Sequence, residues 1–511
     1  MPLLMQVRLL KVTTLLTTTL LAAGCAVGPN YLRPDIDAPA SYRDQKETPT
    51  PESLADLPWW KVFRDPALQS LIREGLENNY DLRIAITRIE QARAEQVQVR
   101  SAFFPQLGYN AAAQRGKSPG QRIPASSTPS STLDVNGTSI TIPGRSTPET
   151  DVTGRTTNTF QAQGMLSWEL DVWGRIRRSN EAALARLLRS EDFRRGVVQS
   201  LVAEIATGYF DLLELDAELQ IAKDARDSFG QSLDLFTKQQ TGGIASDLEV
   251  ARASAAQASA AAAIPEVERM IRITENRISN LLGRNPGPVK RGKGLLAQKM
   301  PPRIPSGIPS TLLERRPDLR QAEQDVIAAN AEIGVAVADF LPTVDLTAAA
   351  GAVSPALGEL VNGKWGVWNI GSTISGPIFT GGLLKGRYEA AKARREEAAL
   401  AYQRTATNAF REVSDALISR KKYDQTKVEL ERQVSALRRS VSLASDRYTI
   451  GISTYYEILE AQQQLFPAER TLMQTRRNQL LSIVDLYRAL GGGWSEVVDV
   501  DKATVKTKKS E

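Results

Sequence analysis

Apolar residues recur with a coiled-coil spacing along the last part of the chain. Between residues 430 and 448 the intervals alternate between four and three positions, at Leu430, Val434, Leu437, Val441, Ala444 and Tyr448. An average of about 3.5 residues is typical of a coiled-coil seam. No proline interrupts residues 383–448, so the pattern predicts one helix of roughly 100 Å at about 1.5 Å per residue. A turn at 448–453 and a returning helix to residue 490 would complete a helical hairpin.

The chain contains a second version of this hairpin. Gly243-Ile244 precedes Gly451-Ile452 by 208 positions, and Leu282-Gly283 precedes Leu490-Gly491 by the same offset. Nearer the N-terminus, Phe-Phe-Pro at 103–105 recurs as Phe-Leu-Pro at 340–342, displaced by 237. Two constant offsets indicate a tandem duplication. The difference between the offsets predicts extra residues in the first copy, where the polar stretch 116–157 lies.

The remaining helices follow from the same repeat. The first copy predicts a helix at 68–102, a long helix at 176–240 and an alanine-rich returning helix at 248–282. Its seam consists of Leu201, Ile205, Tyr209, Leu212, Leu215 and Leu219. Pro265 and Pro467 are expected to interrupt and kink the two returning helices.

The hydrophobic period changes from 3.6 to 2 between the helices of each copy. Apolar and polar residues alternate over 160–172 and 107–113 in the first copy, and over 368–378 and 344–350 in the second. Such segments, with aromatic residues near their ends, resemble strands of an outer-membrane barrel. A soluble two-stranded hairpin in each half is the alternative.

The number of strands limits how such a barrel could form. Four strands are too few to close a barrel. Two chains would give an eight-stranded barrel filled by side chains, and three chains would give twelve strands around a passage. A trimer is therefore expected.

The amino-acid composition limits the kinds of catalytic and metal site that the chain can form. The chain has no histidine and a single cysteine, Cys25, so disulfides, the usual zinc sites and Ser/His or Cys/His catalysis are excluded. The formal net charge of +6 comes from interspersed charges, and its high pI is weak evidence for nucleic acid. We expect no cofactor, no metal site and no enzymatic activity, although an enzyme that uses carboxylates alone stays open.

The N-terminus has the anatomy of a secretory leader. Arg8 and Lys11 precede an apolar run at 12–23, which is too short to span a bilayer. Leu21-Ala22-Ala23-Gly24-Cys25 then resembles a lipobox, with alanine where leucine is usual, which predicts acylation of Cys25. An ordinary signal peptide with an incidental cysteine is the alternative. Ala26 instead of aspartate favours outer-membrane sorting.

These features predict six regions. They are a lipoprotein signal peptide (1–24), an extended segment (25–66) anchored by Trp59, Trp60 and Phe63, a first repeat (67–283), a linker (284–310), a second repeat (311–494) and a polar tail (495–511).

Several sequence motifs together carry a family resemblance. They are the segment 25–31, Trp59-Trp60-x-x-Phe63, Glu-Leu-Asp-Val-Trp-Gly-Arg at 169–175, Arg-Arg-Pro-Asp at 315–318, Pro-Ile-Phe at 377–379 and Ala-Leu-Gly-Gly-Gly-Trp at 489–494. The chain resembles the outer-membrane lipoprotein channels of resistance-nodulation-division efflux pumps, the TolC-like family in its OprM/NodT branch. The resemblance implies a mainly α fold with a transmembrane β-barrel. In that fold a homotrimer forms a twelve-stranded barrel, four strands per chain, continued by a long α-helical barrel in the periplasm.

The resemblance also implies partners and a cargo. Channels of this family dock to a periplasmic adaptor protein and an inner-membrane proton-driven transporter, and they export antibiotics, solvents, dyes or metal ions. An outer-membrane structural coiled coil or adhesin without transport activity is the alternative, and a carboxylate-dependent periplasmic enzyme is a weaker one.

In this family the periplasmic tip is closed by acidic residues just after the second-copy turn. The resemblance implies a gate of Glu457 and Glu460, with Tyr456 as an apolar plug beside them. Residues three apart lie on one helix face, and a threefold axis would bring six carboxylates together in a cation-preferring ring. Two glutamates on a solvated helix face are the alternative. The same resemblance implies ties that hold the tip shut and turns that contact the adaptor, at Arg447, Tyr448, Asp247 and Glu249 for the ties and at Gly243 and Gly451 for the turns.

Overall fold

The computed structural model describes residues 26–43, 45, 52–117, 119, 121–123, 126–127, 131–135, 138–142, 146–147, 150–152, 156–299 and 306–494, without the side chains of 121–152. The predicted signal peptide, the acylation site Cys25 and the polar tail lie outside these residues. The described residues form two units, one within 26–28, 97–180 and 334–388, the other within 29–96, 181–333 and 389–494. Within the described residues, no helix has the length and apolarity that a bilayer span requires.

The long elements occur in the same order in both copies. In chain order they are α1 (Pro66–Asn78), α2 (Tyr80–Ser101), β1 (Gln106–Lys117), β2 (Thr156–Leu170), α3 (Arg175–Thr241), α4 (Asp247–Leu281), α5 (Pro317–Ala338), β3 (Thr343–Ser354), β4 (Gly366–Ser375), α6 (Leu383–Thr449) and α7 (Tyr455–Ala489). Both long helices, α3 and α6, have 67 residues, and both returning helices, α4 and α7, have 35. Short helices at Trp59–Val62 and Leu312–Arg315 precede α1 and α5.

The first unit contains a four-stranded antiparallel sheet in the order β1-β2-β3-β4. The register pairs Ala113 with Phe160, Phe160 with Ser354, and Ala350 with Trp368. All four predicted strands are present. The prediction extended β4 to Ile378, but the strand ends at Ser375, because Pro377 has no N–H to donate to a ladder.

The predicted end of β2 at Val172 is also wrong. The strand stops at Leu170, and Asp171 instead caps the following helix. Its carboxylate accepts hydrogen bonds from the backbone N–H groups of Ile176 and Arg177, both at 2.9 Å. These are among the first donors of α3, which have no partner inside the helix.

The extra residues of the first copy extend the β1–β2 hairpin. Short strands pair at 121–123 with 150–152, 126–127 with 146–147, and 131–135 with 138–142, and the register of β1 and β2 continues through all of them. The sequence between Val135 and Thr138 is Asn-Gly, the dipeptide typical of a two-residue hairpin turn. The neighbouring strand β3 ends at Ser354, opposite Phe160, so the hairpin of the first copy is far longer than that of the second.

The second unit has a helical core that includes the predicted seam of the first copy, since Leu201, Ile205, Tyr209 and Leu212 of α3 are at most 4 % exposed. Of the predicted second-copy seam, Val434 is buried in this core, and Leu430, Leu437 and Val441 are half-buried against it. Other core residues of α6 lie before that seam and include Tyr402, Ala406, Ala409 and Val413. Trp59 and Phe63 are buried as expected, whereas Trp60 is 37 % exposed and is not an anchor. Contrary to the prediction, Pro265 and Pro467 do not interrupt the returning helices, because α4 and α7 each continue through their proline.

The helix predicted at 68–102 is two helices. Asn79 separates α1 from α2, because its side chain serves both neighbours: Oδ1 accepts a hydrogen bond from the Leu82 N–H at 3.0 Å, and Nδ2 donates to the Leu281 carbonyl at 2.9 Å. The first bond caps α2, and the second fixes the break against the end of α4.

The linker between the copies is fixed by Asp65. Its buried carboxylate accepts hydrogen bonds from the Tyr209 hydroxyl at 2.8 Å, from Gln298 Nε2 at 2.6 Å and from the Lys293 N–H at 3.2 Å. Burial alone would raise the pKa of Asp65, but these donors stabilise the anion and lower the pKa below its usual value. The linker therefore packs on α1 and α3.

Candidate functional site

The two helical hairpins end in turns of the same geometry. Gly243 and Gly451 have left-handed backbones with φ of +72° and +76°, and the space beside each Cα is open. In each turn the N–H of the following isoleucine bonds a carbonyl five residues earlier, from Ile244 to Gln239 at 2.8 Å and from Ile452 to Arg447 at 3.0 Å. A glycine in this conformation commonly ends a helix. Both isoleucines are more than half exposed.

The first-copy turn uses its acidic residues for local structure. Ser246 and Glu249 form a capping box at the start of α4, in which the Glu249 carboxylate accepts the Ser246 N–H at 2.8 Å and the Ser246 hydroxyl at 3.1 Å. Asp247 accepts a hydrogen bond from Gln240 at the end of α3. Both predicted tie residues of this copy are therefore bonded within their own hairpin.

The second-copy turn leaves the corresponding glutamate available. Thr454, the N-cap of α7, makes no capping bond with its side chain. Glu457, which corresponds to Glu249 at the offset of 208, has its carboxylate 3.5 Å from Arg447 Nε and is about half exposed. Glu460 is exposed one turn further along, while Ile458 and Leu459 between them are buried. The two predicted gate carboxylates thus lie on the exposed side of α7.

Tyr456 lies beside these carboxylates and is 56 % exposed. The guanidinium carbon of Arg252 lies 5.9 Å from the centre of its ring, a cation–π contact between the two copies. Arg252 occupies the first-copy position that corresponds to Glu460.

Below the turns an aromatic cluster joins the copies. Tyr448, one of the predicted ties, accepts a hydrogen bond from Gln239 Nε2 at 2.7 Å. Its ring meets that of Tyr455 at 5.3 Å, which in turn meets Phe236 at 4.5 Å, both edge to face. The Tyr455 hydroxyl bonds to Ser232 of α3, and burial, followed by the neighbouring Tyr448, raises the pKa of Tyr455 to about 12. Sequence reasoning missed Tyr455, because this residue begins α7 on the far side of the turn from Tyr448 and belongs to no seam with it.

The N-terminal segment reaches the end of β2 in the first unit. The Val27 N–H donates to the Trp173 carbonyl at 3.0 Å, and Ala26 lies so close to Gly174 that a side chain at Gly174 would meet it at 2.6 Å. Trp173 Nε1 donates in turn to the Pro342 carbonyl at 2.8 Å, next to the start of β3. The residue that follows the predicted acylation site therefore lies at one end of the sheet.

The sequence model of the outer membrane efflux protein family matches residues 71–284 and 308–492 of the chain. The chain belongs to the outer membrane efflux protein family. The resemblance that the motifs predicted is confirmed, and so are the location in the outer membrane and the role as an efflux channel component.

Known members cover almost the whole chain. The toluene efflux pump outer membrane protein TtgC of Pseudomonas putida is 33 % identical over 504 residues, which are 97 % of this chain and 99 % of that protein. The cation efflux system protein CusC of Escherichia coli is 29 % identical over 476 residues, 93 % of this chain and 96 % of that one. The open-state crystal structure of the MtrE outer membrane channel of Neisseria gonorrhoeae matches with a TM-score of 0.78 and 29 % identity, covering 92 % of this chain and 99 % of that chain. The predicted fold class of this family is thereby confirmed.

Proposed function

We propose that this chain is the passive exit duct of a tripartite efflux pump. It acts as a homotrimer in the outer membrane and receives toxic small molecules from an inner-membrane resistance-nodulation-division transporter through a periplasmic adaptor. The family membership supports this proposal, and the names of its relatives refer to pumps for toluene and for cations. Cargo selection then belongs to the transporter.

The sheet supports the trimer. β1 and β4 are the outer strands of the four-stranded sheet, and large apolar side chains on them are strongly exposed: Tyr109 by 90 %, Trp368 by 77 % and Ile370 by 78 %. Edge strands with apolar faces are stable in lipid only when the edges are paired and the barrel is closed. Three copies, each pairing β4 with β1 of the next, would provide twelve strands and a lipid-facing apolar surface.

The position of the N-terminus supports lipidation of Cys25. Ala26 lies against Gly174, just after β2 ends, so acyl chains on the preceding residue would start beside the strands that enter the membrane. A Cys25→Ser variant should lose its lipid, which mass spectrometry of the purified protein measures. Retention of lipid by that variant would refute the assignment.

The gate is the exposed acidic pair of α7, and one observation carries it: Glu457 is free of the capping bonds that occupy Glu249. In the trimer, Glu457 and Glu460 form the ring, Tyr456 is the plug beside it, and Arg447 holds Glu457 in the closed tip. Tyr448 ties the second copy to the first, while Asp247 and Glu249 stiffen the first-copy turn. The adaptor contacts the exposed turns at Gly243 and Gly451.

Planar-bilayer conductance tests this gate. The double variant Glu457→Gln with Glu460→Gln should lose the preference for cations that the parent channel shows, because the ring loses its six charges. Glu249→Gln is the matched control, since it removes the equivalent carboxylate of the other copy and should leave selectivity unchanged. Unchanged selectivity in the double variant would refute the gate, and a protein that gives no conductance steps at all would refute the duct.

A further inference from the structure

Helices α3 and α7 connect the two copies through a regular series of polar contacts. Near the turns these contacts are neutral, as between Gln462 Nε2 and Ser228 Oγ at 2.9 Å. Further from the turns they are ion pairs, Arg470 with Glu218 at 2.6 Å and Arg477 with Asp211 at 3.0 Å. The ion pairs therefore hold the part of α7 that is remote from the gate.

Glu214 lies between these two ion pairs and takes part in neither. It is 5 % exposed, and its Oε1 atom has no hydrogen-bond partner among the residues that the structure describes. Its carboxyl group lies within hydrogen-bonding reach of Glu218, which is 8 % exposed. The charged groups around it are Glu218 and Asp211 on α3, Arg470 and Arg477 on α7, and Arg277 of α4, which bonds Asp211 at 2.7 Å.

Two carboxyl groups in contact cannot both be ionised at low cost, so the pair holds one proton. Burial, followed by the charge of Glu218, raises the pKa of Glu214 to about 7, and Arg477 opposes both only in part. The proton has a route to solvent. Glu218 and Arg470 line an open groove of about 450 Å³ between α3, α4 and α7.

We propose that Glu214 is a proton-operated latch between the two copies of the repeat. With its proton, Glu214 donates a hydrogen bond to Glu218 and leaves that carboxylate fully charged for Arg470. When the proton passes to water in the groove, two adjacent carboxylates repel each other and the Glu218–Arg470 contact weakens. Pro467, three residues from Arg470, is a weak point of α7 next to this contact because it donates no backbone hydrogen bond.

The direction in which pH changes the stability of the latch follows from the raised pKa of Glu214. A carboxyl whose pKa is raised in the closed arrangement stabilises that arrangement fully below its ordinary pKa and loses this contribution as the pH rises through about 7. The latch is therefore tightest in acid, weakens as the pH rises towards 7, and is loosest above neutrality. The latch should make the pore easier to open at high pH, and this part of the inference rests on the proposed function. The protonation of Glu214 does not depend on the proposed function.

Infrared difference spectroscopy of the purified full-length protein between pH 6 and pH 8 tests the proton directly. The parent should show the C=O band of one protonated carboxyl that disappears with a midpoint near neutrality, and Glu214→Gln should lack it. Asp224→Asn is the matched control, since Asp224 is an exposed carboxylate of α3 and should leave the band intact. No titrating band in the parent, or a band that persists in Glu214→Gln, would overturn the latch. The parent measurement stands even where the variant fails to fold.

Hydrogen–deuterium exchange of α7 tests the loosening. After correction for intrinsic rates, exchange around Arg470 in the parent should be on the order of a hundredfold faster at pH 8 than in the protonated limit, because the raised pKa of Glu214 returns to its ordinary range when the contact opens. In Glu214→Gln the corrected exchange should be independent of pH. Exchange that slows as the pH rises would mean that ionised Glu214 pairs with Arg477, and would overturn the proposal. Conductance measured at pH 6 and pH 8 separates a failure of the proposed function from a failure of the latch. Absence of any conductance refutes the exit duct. A conductance that does not depend on pH, in a protein whose infrared band does titrate, refutes only the link between the latch and the gate.

Discussion

The two hairpin turns differ in chemistry although they share a backbone. Both join a helix of 67 residues to one of 35, both turn at a left-handed glycine, and both have glutamate in the first turn of the returning helix. In the first copy that residue, Glu249, caps its own helix. In the second, Glu457 faces Arg447 and solvent.

The difference begins at the N-cap. Serine is a better N-cap than threonine, and Ser246 forms the reciprocal bonds of a capping box, whereas the Thr454 side chain makes none. One turn further along, the first copy has Arg252 and the second has Glu460. The two copies therefore share the backbone geometry of the turn. The acidic residues of the first-copy turn stabilise a helix end, whereas those of the second-copy turn are exposed negative charges.

The largest effect is expected from giving the second turn the charge of the first. Glu460→Arg replaces three carboxylates of the trimer with three guanidinium groups, so the preference for cations should fall on the order of tenfold and can invert. Reversal potentials in a salt gradient measure it. Glu429→Arg, a charge reversal at an exposed site of α6 remote from the turn, should have little effect. Equal selectivity in the two variants would mean that the acidic turn of the second copy does not line the passage.

A smaller change in ion selectivity is expected when the N-cap residue of α7 is replaced by the serine that caps α4. Thr454→Ser should recruit Glu457 into a capping box and draw it away from Arg447, which lowers the preference for cations by about twofold because Glu460 stays free. Thr454→Val, which removes the hydroxyl and keeps the shape, should behave as the parent. If the serine variant also keeps the selectivity of the parent, the cap residue does not control the availability of Glu457.

Much of the fold could be predicted because periodicity reports directly on packing. The 3.5-residue seam around Val434 follows from one buried helix face, and the alternation around Phe160 follows from the opposite directions of successive side chains on a strand, so both are recorded in the sequence. The break at Asn79 depends in part on the Leu281 carbonyl, about 200 residues away, and the local sequence does not reveal that contact. The end of β2 was misplaced because Asp171 continues the alternation but is needed as a cap.

The gate at Glu457 and Glu460 stays a prediction, and the structure adds that both carboxylates are exposed beside the turn. The bonding of the first-copy turn differs from its prediction, because Glu249 caps its own helix instead of tying two helices together. The signal that was overlooked is local, since Ser246-x-x-Glu249 is the sequence signature of a capping box. Glu214 and Glu218 gave no such signal. Glutamates four apart on a helix usually face water, and only the packing of α7 and α4 over α3 buries them.

The smallest effect concerns stability alone. Ser246→Ala removes a working capping box and should lower the local unfolding free energy of the first turn of α4 by about 1 kcal/mol. Thr454→Ala removes a side chain that makes no capping bond and should cost the first turn of α7 only a few tenths of that. Native-state hydrogen exchange of the amides in these two turns measures both, and neither variant should change ion selectivity. Equal losses at the two turns would show that Thr454 caps α7 as Ser246 caps α4, and the contrast between a bonded Glu249 and an available Glu457 would then have to come from Arg447 alone.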